Sequence, residues 1–212
     1  YIFYFLLDHR LFFPATQRNK ICIGDVLSKI PFKRGFVLEI GSGSGEHGVE
    51  FQKRFPDLIW QTSDPELKHR KSIISWIDHE KLNIKMPKPL EIDVTKSPWP
   101  IPFKLVDSLQ LIISINMIHI APWECTESLF KESGKLLNYG KFIILYGPFK
   151  IKFEHISISN ELFDKSLKIQ NNEWGVRNLE DVNQEAIING FQLNQLIQMP
   201  ANNLTLIYEK VS

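Results

Sequence analysis

The stretch Gly35-Phe-Val-Leu-Glu-Ile-Gly-Ser-Gly-Ser-Gly45 decides the fold. A short apolar run ends there in glycines at 41, 43 and 45, the pattern of a buried parallel strand entering a tight turn. Without a Cβ the backbone can bend sharply and lie directly against a ligand. Residues 46–55 then carry helical spacing and stop before Pro56-Asp57. Leu58-Ile-Trp-Gln-Thr62 reads as a second strand, with Ser63-Asp64-Pro65 as its exit turn, so the segment is a β-α-β unit.

Working outward, apolar residues at 21, 23, 26, 27 and 30 predict an N-terminal helix over 20–30, stopped by Pro31. Downstream, the pattern predicts a helix over 66–79 and a short third strand over 90–93. A loop holding Pro98, Pro100 and Pro102 precedes a fourth strand over 109–116. A helix over 123–137, a fifth strand over 141–146 and helices over 160–169 and 178–189 follow. Residues 191–198 and 204–209 look like two strands joined only by Met199-Pro-Ala-Asn-Asn203, too short for a parallel crossover, so they run antiparallel. The expectation is an α/β, Rossmann-like class I methyltransferase fold: a mainly parallel seven-stranded sheet, helices on both faces and an antiparallel C-terminal hairpin. Dinucleotide dehydrogenases usually add a parallel sixth strand instead.

A chain of 212 residues holds one large α/β core, and 43% apolar with 23% charged residues excludes a disordered or fibrous reading. We assign one domain to residues 8–212. Residues 1–7 are an apolar extension with no basic segment before it, too short to span a bilayer, and read as neither signal nor anchor. Twenty-five basic against twenty-four acidic residues give no global field for nucleic acid or an anionic membrane, so neither is expected as a partner. Cys22 and Cys125 lack C-x-x-C spacing, which fits a reducing cytoplasm, and the six histidines lack metal-ligand spacing, so no metal is expected.

The ligand chemistry follows from what flanks the glycines. Asp64 lies 23 residues after Gly41, at the end of the next strand, where a carboxylate can accept hydrogen bonds from both ribose hydroxyls. Asp93 is placed for a polar contact to an adenine amine, with Val94 against the ring; a turn-capping carboxylate is the competing reading for Asp93. Gly43-Ser-Gly45-Glu-His-Gly48 also satisfies the dinucleotide pattern G-x-G-x-x-G, so the glycines alone do not choose the cofactor. Glu39 and the C-terminal hairpin favour S-adenosylmethionine: Glu39 would repel a pyrophosphate yet order the cationic amino-acid end of that cofactor. A glycine turn that only closes the connection, without ligand, is the bland alternative.

The segments Arg10-Leu-Phe-Phe-Pro-Ala-Thr-Gln-Arg-Asn-Lys20, Val37-Leu-Glu-Ile-Gly-Ser-Gly-Ser-Gly45, Ser63-Asp-Pro65 and Asp93-Val-Thr95 with Pro98-Trp-Pro100 carry a resemblance, together with four later ones. The later ones are Asn116-Met-Ile-His-Ile120, Tyr146-Gly-Pro-Phe149, Trp174-Gly-Val-Arg177 and Met199-Pro-Ala-Asn-Asn203. Together they resemble the uncharacterised methyltransferase-like family known as domain of unknown function 938, from about Asp8 to the C-terminus. The resemblance implies a class I fold and an S-adenosylmethionine site, and it supplies no acceptor. The approach to the fourth strand, residues 105–113, looks longer than the family's usual one.

Methyl transfer from a sulfonium is an in-line displacement that needs placement of a nucleophile and exclusion of water, with a base only if the acceptor must lose a proton. The carboxyl ends of the fourth and fifth strands nominate His119 as base and Tyr146 beside it. A satisfied junction histidine and a packing tyrosine are the alternatives. Asn116 joins Gly41, Gly43, Gly45 and Asp64 as a cofactor contact, and Trp123, Trp174, Arg177 and Asn203 are candidates for the acceptor pocket. Residues 14–20 could fold over the cofactor as a lid, with Arg18 and Asn19 supplying polar contacts. The leading expectation is an S-adenosylmethionine-dependent methyltransferase acting on a small molecule. The alternatives are a non-catalytic nucleoside-binding module with a protein partner and a nicotinamide-dependent oxidoreductase.

Overall fold

Strand β1 (Gly35–Ile40) lies inside the main sheet, and its side chains alternate between two apolar layers. In this computed structural model, which describes residues 8–31 and 34–212, Phe36, Leu38 and Ile40 enter one layer and Val37 the other. The apolar run 1–7 lies outside the described residues. Around β1 the chain runs α1 (Pro14–Leu27), α2 (Glu46–Arg54), β2 (Leu58–Ser63), α3 (Leu67–His79), α4 (Phe103–Val106) and β3 (Leu109–Ile115). A 3-10 turn (Ile118–Ile120) leads to α5 (Trp123–Leu136), β4 (Phe142–Gly147), β5 (Phe149–Ile151), β6 (Glu154–His155) and α6 (Ile158–Gln170). Then come β7 (Arg177–Asn178), α7 (Leu179–Ile188), β8 (Phe191–Met199) and β9 (Asn203–Lys210).

The main sheet has the order β2-β1-β3-β4-β9-β8, parallel from β2 to β4 and antiparallel from β4 through β9 to β8. One layer packs Phe130 of α5 and Val182 and Ala186 of α7 on Phe149, Phe191 and Tyr208. The other packs Ile23 of α1, Phe51 of α2 and Ile73 and Ile77 of α3 on Trp60, Leu111, Ile113 and Ile144. Each fully buried large apolar side chain contributes roughly 1.5–3 kcal/mol relative to an exposed one, which makes β1 and its flanks the stability centre. The order of connection reverses at β1 and β3, and the crevice outside the carboxyl ends of those strands is where an open α/β sheet binds ligands.

The expected α/β architecture with helices on both faces and an antiparallel C-terminal pair is present, with a difference in strand count. The main sheet has six strands rather than seven, because the strand expected at 90–93 shrinks to a single bridge between Leu90 and Ser63. Two backbone bonds hold that bridge, Leu90 N–H to Thr62 O and Asp64 N–H to Leu90 O. Asp93 then turns the chain away by accepting from both the amide and the hydroxyl of Thr95, which ends any ladder. Two further elements carry no sequence signal. Strands β5, β6 and β7 form a separate small sheet of two- and three-residue strands. Helix α1 starts at Pro14 rather than 20, its proline pre-set for the first turn. Among the described residues no helix is long and apolar enough to cross a membrane.

Candidate functional site

The three glycines expected to form the turn do so in the left-handed region, Gly41 at φ 69°, Gly43 at 56° and Gly45 at 92°. They are also sterically required. A Cβ on Gly43 would stand 2.9 Å from the Phe13 ring, and one on Gly45 2.9 Å from the Ile73 backbone. The loop is stapled to β2: Ser42 N–H donates to Ser63 O at 2.8 Å, and Gly43 N–H donates to Asp64 Oδ2 at 2.9 Å. Asp64 Oδ1 accepts from Glu66 N–H at 2.9 Å and lies 3.0 Å from His69 Nδ1. Thus Asp64, only 4% exposed, sits at the mouth of the glycine loop as the spacing predicted.

Glu39 lies beneath this loop, fully buried under α2, which approaches so closely that a Cβ on Gly48 would stand 3.1 Å from Glu39 Oε2. Trp60 Nε1–H donates to that oxygen at 2.7 Å. Burial, with repulsion from Asp64, raises the Glu39 pKa to about 7 against the partial relief of the Trp60 bond. The carboxyl is therefore poised between its two forms at neutral pH and answers to any cation placed near it.

A residue that the sequence reading passed over occupies the N-terminus of α2. Glu46, buried at the first helical position, accepts from Phe13 N–H at 2.8 Å, from Ser44 Oγ–H at 2.8 Å and from Gln17 Nε2–H at 2.5 Å. A carboxylate is favourable at a helix N-terminus, and here its partners come from the strap before α1, from α1 and from Ser44 rather than from the α2 amides. An acidic residue directly after the last glycine was the available signal.

Through Glu46 the segment 10–20 is tied across the loop, and residues 14–20, expected as a lid, form the first two turns of α1. Leu11 N–H donates to Ser72 Oγ, Trp76 Nε1–H to Leu11 O, and Phe13 packs edge-on against His69 at 5.8 Å. Asn19 is buried and its Oδ1 lies 2.7 Å from His47 Nε2. Burial drives the His47 pKa down to about 3, so the ring is neutral and donates to the amide oxygen. Arg18 is exposed, yet its charge reaches Tyr146.

At the carboxyl ends of β3 and β4 the acceptor-side candidates converge. Asn116 adopts φ 56°, unusual for a residue with a side chain, and its amide donates to Tyr146 O at 2.8 Å. A Cβ on Gly147 would stand 3.2 Å from His119 Nδ1 and 3.5 Å from Asn116 Oδ1, which places both side chains over the end of β4. His119 is 4% exposed with Phe163 of α6 edge-on at 5.6 Å, and burial aided by Arg177 lowers its pKa to about 4. Burial raises the pKa of the Tyr146 hydroxyl, and the nearby Asn19 and Asn203 side chains partly offset it.

Other candidates are placed differently. Asp93 spends one oxygen on Thr95 and has Lys96 Nζ 3.3 Å from the other, the geometry of a turn carboxylate, with its pKa lowered first by the Thr95 hydroxyl. Val94 is buried in the layer that holds Trp99. Trp174 is half-buried, and Arg177 turns its guanidinium onto backbone carbonyls and over the half-buried Trp123 ring at 5.8 Å. An open groove of about 520 Å³ runs beside α7, lined by Trp123, Lys150, Phe153, Arg177, Asp181 and Gln184. It lies outside the glycine loop, and the convergence of Asp64, Glu39, Asn116 and His119 at the sheet's switch point is the stronger pointer to a site.

Residues 10–210 match the family described as a protein of unknown function, DUF938. Among solved structures, the chain is similar to an O-methyltransferase family protein from Burkholderia thailandensis at 13% identity and TM-score 0.76, over 93% of this chain and 58% of that one. It is similar to human N-acetylserotonin methyltransferase in complex with SAM at 15% identity and TM-score 0.74, over 93% and 53%. An O-methyltransferase family 2 protein from Planctomyces limnophilus, in complex with apigenin, matches at 16% identity and TM-score 0.74, over 91% and 56%. The chain thus spans just over half the length of these proteins, and the likeness establishes a methyltransferase fold. The chain belongs to the DUF938 family.

Proposed function

We propose that this DUF938 chain is an S-adenosylmethionine-dependent methyltransferase that acts on a small-molecule acceptor, with residues 8–212 as one domain. The observation that carries the reading is the joint position of Gly43, Asp64 and Glu46: a left-handed glycine turn, a carboxylate at its mouth and a second carboxylate on the α2 N-terminus. The first two suit a nucleoside. The third puts the protein's own negative charge beside the α2 N-terminus, which disfavours a pyrophosphate and with it the nicotinamide reading.

In this reading S-adenosylmethionine, when bound, supplies an electrophilic methyl on a sulfonium. Asp64 keeps a lone pair on Oδ2 for a ribose hydroxyl beside the bond from Gly43, while Oδ1 faces Glu66 N–H and His69 Nδ1. Glu39 answers the cationic amino-acid end by giving up its proton. The strap carrying Phe13 and Asn19 excludes water. Neutral His119 accepts the acceptor's proton as the new bond forms, when a hydroxyl or amine becomes acidic enough for so weak a base. Tyr146 and Asn116 orient the acceptor at the end of β4, with Asn203 beside Tyr146. No global basic charge supports a nucleic-acid acceptor, and the low cysteine count suits a cytoplasmic setting.

One observation favours a second reading. His119 is nearly closed off by Phe163, as expected of a non-catalytic nucleoside-binding module whose acceptor pocket is sealed. Transfer of labelled methyl from S-adenosylmethionine to pooled small hydroxyl and amine compounds separates the two. Product with the wild type and none with His119→Asn supports the enzyme; cofactor binding with no product from any pool supports the module.

A further inference from the structure

We propose that Arg177 is a positioning residue: with the segment 173–177 it clamps the turn that carries His119 from outside the site, and it does not recognise the acceptor. Three of the five guanidinium N–H donors are committed to backbone carbonyls, Nε–H to Ile118 O at 3.0 Å and Nη2 to Ala121 O at 2.5 Å and to Glu173 O at 2.9 Å. The first two carbonyls flank His119 on either side. Gly175 N–H donates to His119 O at 3.0 Å, so the clamp also grips the residue itself. The guanidinium lies 5.8 Å from the Trp123 ring centroid, a half-buried setting in which a fork of donors holds direction better than a lysine would.

The clamp is anchored in turn. Asp164, buried on α6, accepts from Val176 N–H at 2.7 Å through Oδ1, while Lys168 Nζ at 2.6 Å and His155 Nε2 at 3.3 Å approach Oδ2. The segment passes so near that a Cβ on Gly175 would stand 2.8 Å from Asp164 Oδ1. Phe163, the residue before Asp164, lies edge-on to the His119 ring. Helix α6 therefore sets the ring through one residue and the turn's tether through the next. A guanidinium spent in this way has little left for a ligand, yet its charge favours the neutral form of the ring it positions.

The inference rests on the reading of His119 as the acceptor-side base, but its test does not need an acceptor. Full-length wild type, Arg177→Gln and Arg177→Lys would be compared by two NMR readouts, amide hydrogen exchange and titration of the His119 ring. In Arg177→Gln the Ile120 and Gly175 amides should exchange about tenfold faster or more while β1 and β2 amides keep their protection, and His119 should titrate at higher pH. Arg177→Lys should hold His119 closer to its wild-type titration without restoring the amide protection; this variant decides the question if the glutamine variant does not fold. Unchanged exchange at Ile120 and Gly175, or exchange that rises only in step with β1, overturns the clamp. A failed acceptor search leaves it standing, since neither readout depends on turnover.

Discussion

Replacing Glu39 by Gln isolates the charge at the floor of the proposed site. Glu39 is 1% exposed and its pKa rises from an ordinary 4.5 to about 7, chiefly through burial. A folded-state pKa raised above the unfolded value means that the folded protein binds the proton more tightly. This stabilisation is complete below pH 4.5 and is lost as the pH climbs through 7. At about 1.4 kcal/mol per pH unit, the loss between pH 5 and pH 8.5 comes to roughly 2 to 3 kcal/mol. Glutamine keeps an oxygen for the Trp60 N–H and has no proton to lose, so any offset from its amide is independent of pH. Urea unfolding of wild type and Glu39→Gln at pH 5, 7 and 8.5 should show the stability difference moving by roughly 2 to 3 kcal/mol in favour of Gln as pH rises. Parallel curves would refute the buried, proton-binding Glu39, and with it the argument that a cationic ligand displaces that proton.

Three further outcomes are expected. Asp64→Ala should weaken S-adenosylmethionine binding by roughly tenfold or more in calorimetry, from the loss of charge-assisted bonds; unchanged affinity would remove the ribose from this position. Phe13→Ala, which strips the ring from above Gly43, should speed cofactor release about fivefold in stopped-flow fluorescence, as the loss of roughly 1 kcal/mol of apolar cover implies; an unaltered off-rate would mean that the strap is no lid. The depressed pKa of His119 gives stability that is present above about 6.5 and lost as pH falls toward about 4. Denaturation of His119→Asn between pH 6 and 4.5 should therefore show less acid sensitivity than wild type, by about 1 kcal/mol per pH unit, and equal slopes would place a charged ring there.

The sequence shows the β1-to-β2 unit almost to the residue because each part of it has a strong local cause. A continuous apolar run marks a strand buried on both faces, and left-handed turn geometry demands glycine. The start of α1 escaped the same reasoning, since its first buried positions are Thr16 and Asn19, which face the polar loop and His47 rather than an apolar core. Hydrophobic periodicity cannot register a helix face that is polar because its neighbour is polar. The expected strand at 90–93 failed for the opposite reason: Leu90 and Ile92 are apolar enough, but the Asp93 turn ends the pairing after one bridge. Among the candidate residues, Asp64, Asn116 and His119 were legible from their places at or just after strand ends. Glu46, Phe13 and Phe163 were not, because each acts through a tertiary contact, with the strap, the glycine loop and His119 respectively.

The account's central claim, that the glycine loop, Asp64 and Glu46 form an adenosyl rather than a dinucleotide site, is tested most directly by calorimetric titration of the purified chain. S-adenosylmethionine, S-adenosylhomocysteine and NAD would be titrated at matched concentrations. The account predicts saturable binding of both adenosyl ligands and none of NAD; binding of NAD without either adenosyl ligand would contradict it.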